Sequence, residues 1–132
     1  MRILFLVLAL LCSGGAFAQS APKHYLSAAS TNCTLVQAGK VVLRNEISIN
    51  TTAVIYYLKL YDKATAPVAL TDIPVLTIPV LTAAAGGSPP MFSVDGIVFL
   101  NGLGICLTGG IADNDNTVAA TGVAINLGVS TN

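Results

Sequence analysis

The chain has 132 residues, of which 9% are charged and 54% hydrophobic, with six Lys or Arg against six Asp or Glu and a mean hydropathy of +0.76. That length suits one domain better than two. The sparse, balanced charge excludes the basic footprint of a nucleic-acid binder and the basic amphipathic helix of a membrane-surface protein.

Residues 1–18 read as a secretory signal peptide. Arg2 precedes an apolar run from Ile3 to Leu11, and Ala16-Phe17-Ala18 supplies a small-residue exit, which puts cleavage after Ala18. The run is too short for a permanent membrane span. The processed chain keeps five Lys or Arg against six Asp or Glu, and it is expected to be secreted or periplasmic and off the membrane. Residues 19–30 are expected to form an N-terminal extension and residues 31–132 the folded domain. His24, the only histidine, falls in the extension.

Past the leader the hydrophobic period is two, the signature of strands. "CTLVQA" opens with Cys33. "VVLRNEISIN" puts Val41, Leu43, Ile47 and Ile49 on one side and Val42, Arg44, Glu46 and Ser48 on the other, which predicts a strand with one wet face. "TAVIYYLKLYD" differs, because both of its faces are apolar or aromatic. Tyr56, Leu58 and Leu60 are expected to face the core. Ile55, Tyr57, Lys59 and Tyr61 then form a second face, covered either by a neighbouring subunit or by the following loop "DKATAPVALTD". Tyrosine suits an interface because its ring buries area while its hydroxyl stays hydrogen-bonded.

"TDIPVLTIPVLT" carries Pro74 and Pro79, which confine it to an edge strand or an extended arm. Residues 83–90 and 109–117 are loops by composition. Asn101-Gly102 between "GIVFL" and "LGICL" predicts a hairpin. "GVAINLGVS" turns Val123, Ile125, Leu127 and Val129 inward. Seven to nine short strands with frequent turns predict an all-β fold, a single β-sandwich or jelly roll.

The chemistry is thin. The two cysteines that survive cleavage, Cys33 and Cys106, suggest a disulfide in an oxidising compartment, with two buried thiols as the alternative. It would tie an early strand to a late one. No catalytic residues are assigned, since His24 has no nucleophile motif near it. No cofactor is expected. The weak metal candidate is Asp113, Asp115 and Asn116, whose more ordinary role is turn formation. Asn32-Cys33-Thr34 and Asn50-Thr51-Thr52 match the glycosylation acceptor pattern.

Three blocks carry a resemblance. Thr31 to Thr34, Tyr57 to Pro67 ("YLKLYDKATAP") and Thr108 to Thr117 ("TGGIADNDNT") resemble a family of small, mostly uncharacterised β-proteins of tailed phages and prophages. The resemblance spans about Thr31 to Gly128 and implies a virion structural role, in head decoration or at the tail. Joined to the leader and the cysteine pair, it implies a non-enzymatic structural subunit, exported and oligomeric, partnered by copies of itself or by neighbouring subunits. The alternative is a secreted or periplasmic module that binds a glycan or peptide through loops 83–90 and 109–117.

Overall fold

The computed structural model describes residues 21–131. The leader and its cleavage point after Ala18 lie outside the described residues. The described residues form eight strands: β1 Ala21–Leu26, β2 Thr34–Ala38, β3 Val41–Asn50, β4 Tyr56–Asp62, β5 Leu76–Val80, β6 Met91–Phe99, β7 Gly102–Thr108 and β8 Val123–Ser130. They form two four-stranded sheets of order β1-β8-β3-β6 and β2-β7-β4-β5, and every pairing is antiparallel. The fold is a β-sandwich. No helix among the described residues is long and apolar enough to cross a membrane.

The core lies between the sheets because alternate residues point there. Val123, Ile125, Leu127 and Val129 of β8 enter it, as the alternation predicts, and meet Leu58, Leu60, Leu103, Ile105 and Leu107 of the facing sheet. Pro79 sits in β5, an edge strand, where a missing N–H leaves no ladder bond broken.

Three expectations need correction. Residues 21–26 are no loose extension: they pair with β8 from Ala21↔Val129 to Leu26↔Ala124, and Tyr25 packs against the core. Asn101-Gly102 closes no hairpin. β6 pairs with β3 in one sheet and β7 with β2 and β4 in the other, so the dipeptide crosses between sheets. The carboxylate of Asp62, at the end of β4, makes the crossing. It accepts from the amides of Leu100 (3.1 Å), Asn101 (2.7 Å) and Gly102 (3.3 Å). The Asn101 amide and then the others hold its pKa below the ordinary carboxylate value.

The third correction concerns β3. Its register shifts between Leu43 and Asn45, where two steps along β3 match one step along β8, from Val129 to Gly128. This is a β-bulge, and it reverses the inside–outside parity of everything after it. Val41 and Leu43 face the core, but so do Glu46, Ser48 and Asn50, while Ile47 and Ile49 point out, 37% and 55% exposed. The guanidinium of Arg44 holds the bulge, donating to Ser130 Oγ and to the carbonyls of Val94 and Asp95 at 2.9–3.3 Å.

The cysteine expectation holds. Cys33 and Cys106 are joined by a disulfide. Cys33 directly precedes β2, and Thr34 pairs with Ile105 of β7, so the bridge links neighbours within one sheet and does not cross the sandwich.

Candidate functional site

The outer face of β4 is closed by the chain itself. Tyr57, Lys59 and Tyr61 alternate out of β4 opposite Thr108, Cys106 and Gly104 of β7. Two loops lie over them. Pro67 comes down on Gly104 so closely that a Cβ there would sit 2.8 Å from the proline ring. Ala69 packs with Tyr61 and Cys106. From the other side, loop 109–117 folds over Lys59. The Lys59 ammonium donates to the carbonyls of Ala112 (2.5 Å), Asp115 (3.2 Å) and Asp113 (3.5 Å). Lys59 is 0% exposed and Tyr61 1%. Both are therefore removed from any surface that could meet a partner. Tyr57 is half-buried, and Ile55 is exposed at the strand's start.

The electrostatics follow from this closure. Burial pushes the Lys59 ammonium below its ordinary pKa, and Asp115 and Asp113 pull it back up. Burial, helped by Asp72 and Asp113, raises Tyr61 to about 12. The weak metal candidate has another use. Asp115 accepts from the amide of Gly110 (2.6 Å) and from the Thr117 hydroxyl (2.6 Å), so its carboxylate shapes the turn. Burial opposes the charge of Asp115, but the Thr117 hydroxyl, the two amides and Lys59 outweigh it and keep the pKa low. Asp113 and Asn116 are exposed on the same loop, and the cation that its carbonyls hold is the chain's own ammonium.

The three blocks behind the resemblance converge here. Lys59 and Tyr61 come from one, Ala112 to Thr117 from another, and the Thr31 carbonyl accepts from the Leu107 amide beside the disulfide. Their joint work is to fasten loops to a sheet. A shallow depression of about 380 Å³ remains between the loops, lined by Cys33, Pro67, Val68, Ala69, Leu70 and Asn116 among others. Loop 83–90, the other binding candidate, is built separately. Its 3₁₀ turn Ala83–Ala85 is capped by Thr82. No hydrogen bond joins it to loop 109–117 among the described residues. The glycosylation acceptors are also committed: Asn32 Nδ2 donates to Ala28 and Ser30 carbonyls, and buried Asn50 Nδ2 to those of Val54 and Val80.

The opposite face is open over three strands among the described residues. On the outside of the β1-β8-β3-β6 sheet, three cross-strand rows run Leu26–Ala124–Ile49, His24–Asn126–Ile47 and Pro22–Gly128–Asn45. None of these nine side chains is Lys, Arg, Asp or Glu. The Asn45 side chain lies over Gly128, where a Cβ would meet its Nδ2 at 2.5 Å, and Asn126 stands between Gly128 and the small Ala124. Leu26, 72% exposed, and Ile49 rise on either side. Asn126 bridges the middle row, its Oδ1 2.8 Å from His24 Nδ1 and its Nδ2 donating to the Ile47 carbonyl at 3.2 Å. Sequence reading missed this face, because the bulge that exposes Ile47 and Ile49 has no mark of its own.

No protein-family model, curated protein or solved structure matches the chain.

Proposed function

We propose that the chain is a non-enzymatic structural subunit, exported, that works by packing into an assembly of the phage-virion type. The observation that carries this reading is the outer side of β1, β8 and β3 beyond the bulge, uncovered among the described residues, where nine outward positions carry no Lys, Arg, Asp or Glu and Leu26, Ile47 and Ile49 are exposed. Water-exposed apolar side chains gathered in one uncharged patch mark surfaces that meet other proteins. The polar groups elsewhere support the same reading. Lys59, Asp62, Asp72 and Asp115 are all engaged in holding loops. His24 lies on a flat face hydrogen-bonded to Asn126. The resemblance of Tyr57–Pro67 and Thr108–Thr117 to phage β-proteins supports the virion type, and the disulfide supports export.

The test is recovery. Protein produced through its own N-terminus is fractionated by sedimentation, without reductant, and the pellet is examined by mass spectrometry. The processed, oxidised chain at fixed stoichiometry in a particle is the expected result. A chain found only in the soluble fraction overturns the reading. The second reading, a secreted binding module, has one observation in its favour: the depression beside Val68, Leu70 and Asn116. Retention on a glycan or peptide array, lost with Val68→Lys, would establish it.

A further inference from the structure

We infer that Asn101 is a site of spontaneous deamidation, and that the Asp62 carboxylate sets its rate by holding the amide that would attack it. The inference uses none of the premises of the packing reading.

Two features place the site. Asn101 is exposed, and it is the one asparagine that glycine follows in the sequence. A glycine nitrogen has no adjoining side chain to hinder its approach to the asparagine amide. The crossing also cannot give this glycine up. A Cβ on Gly102 would lie 2.6 Å from the Lys63 carbonyl oxygen and 2.8 Å from that of Gln37. The fold therefore keeps a labile pair where β6 of one sheet leads into β7 of the other.

The reaction needs only water. The Gly102 nitrogen loses its proton and bonds to Cγ of Asn101; the Cγ–Nδ2 bond breaks, and ammonia leaves with a proton. Water then opens the cyclic imide at either carbonyl. One opening leaves aspartate at position 101. The other leaves isoaspartate, whose backbone runs through the side chain and is longer by a carbon.

Asp62 opposes the first step. Its Oδ1 accepts from the amides of Asn101 at 2.7 Å and Gly102 at 3.3 Å, and its Oδ2 from that of Leu100 at 3.1 Å. The attacking nitrogen must therefore shed its proton beside a carboxylate, where a second negative charge is disfavoured. Both flanking carbonyls are pinned as well. That of Asn101 accepts from the Gly39 amide and that of Gly102 from the Lys63 amide, each at 2.9 Å. Cyclisation waits for a local opening of the crossing. The Asn101 side-chain amide also lies near the Asp62 carboxylate and helps to lower its pKa. The product replaces that amide by a second carboxylate, and like charges at close range repel. Each event thus loosens the link between the sheets.

The test is peptide mapping by mass spectrometry of the exported, oxidised protein, incubated at mildly alkaline pH, with isoaspartate counted separately. The wild type, folded and in urea, is compared with Asp62→Ala and with Lys59→Met, which frees loop 109–117 and leaves the hydrogen bonds of the crossing in place. Asn101 is expected to react slowly in the folded wild type and much faster in urea. Asp62→Ala should raise the folded rate by about tenfold or more, as when hydrogen bonds to a charged group are lost. Lys59→Met should stay near the wild-type rate. Asp62→Asn, which keeps the shape and removes the charge, carries the test if Asp62→Ala does not fold, and it too should be faster. Equal rates in the folded and unfolded wild type overturn the inference, as does a wild-type rate in the Asp62 variants. Equal acceleration in Lys59→Met also overturns it, because general unfolding would then set the rate. No reaction at 101 even in urea removes the site itself. Asn101→Asp, the product without the reaction, should unfold at lower urea than the wild type at neutral pH and at the same urea in strong acid. Equal midpoints at both pH values overturn the loosening.

Discussion

The ammonium of Lys59 lies 2.5 Å from the carbonyl oxygen of Ala112, fifty-three positions later in the chain. One side chain thus fastens a whole loop to the middle of a sheet. Three carbonyls share its protons, and the two nearby carboxylates balance its charge from outside the cage. Replacing Lys59 by Met keeps the stem and removes the charge. The carbonyls of Ala112, Asp113 and Asp115 then lose their buried donor. We expect Lys59→Met to destabilise the fold by about 2–3 kcal/mol, as for hydrogen bonds to a charged group. Faster amide exchange confined to residues 109–117 would show the loop released; uniform exchange would show that the loop is held by something else.

Glu46 supplies the second prediction. It is 0% exposed on the inward face of β3, opposite Leu127 and Met91, with Ser48 Oγ on one carboxyl oxygen and no partner for the other among the described residues. Burial raises its pKa, and the Ser48 hydroxyl only partly offsets this. The folded chain therefore holds this proton more tightly than the unfolded chain does. Glu46 is least harmful below the ordinary carboxyl value, and stability falls as pH rises through its folded value. Glu46→Gln should raise stability at neutral pH by on the order of 1 kcal/mol and flatten the mildly acidic limb of the stability profile. Equal unfolding midpoints for the two proteins at neutral pH would refute the buried-charge argument.

Asp62 has the opposite sign. Its pKa is lowered by the amides it binds, first among them Asn101. Its contribution is complete above the ordinary carboxyl value and is lost as pH falls through the folded value. Asp62→Ala should cost about 1 kcal/mol at neutral pH, comparable to losing a helix cap, and nothing in strong acid. Urea unfolding at both pH values measures the difference directly. An equal cost at both would mean that packing, and not the charge, holds the crossing.

The disulfide gives a fourth. Its partners are 73 positions apart. Closing so long a loop is worth roughly 4 kcal/mol in the chain-entropy account. The double replacement Cys33→Ser with Cys106→Ser should lower stability by up to that amount and leave the strand spectrum unchanged. A loss well under 1 kcal/mol would mean that the sheet pairing Thr34↔Ile105 already confines the ends.

These cases show why parts of the molecule were readable in the sequence and parts were not. β8 was legible because nothing interrupts its alternation from Val123 to Val129. The two-sided character of β4 was legible as well, since Tyr57 and Tyr61 are too apolar for a wet face. What covers them was not. Lys59 is held by backbone carbonyls, which every residue carries, so no side-chain pattern announces the cage. The crossing at Asn101 escaped for a similar reason: its geometry is set by Asp62, thirty-nine positions earlier. The bulge at Arg44 is formed by ordinary residues. The open face was invisible for that reason alone, since Ile47 and Ile49 read as core until the parity is known to change.

The bulge also gives β3 two reading frames. Up to Leu43 odd positions are inside; from Asn45 onward even positions are. Loss of one residue at Arg44 would remove the bulge and leave a single ladder, with Asn45 following Leu43 directly opposite Gly128, Glu46 still inside and Ile47 and Ile49 still outside. Flattening Arg44 into the ladder with no residue lost would do the reverse, turning Ile47 and Ile49 inward and Glu46 outward. The exposure of Ile47 and Ile49 is therefore set by one pairing step at Arg44 and not by the composition of β3.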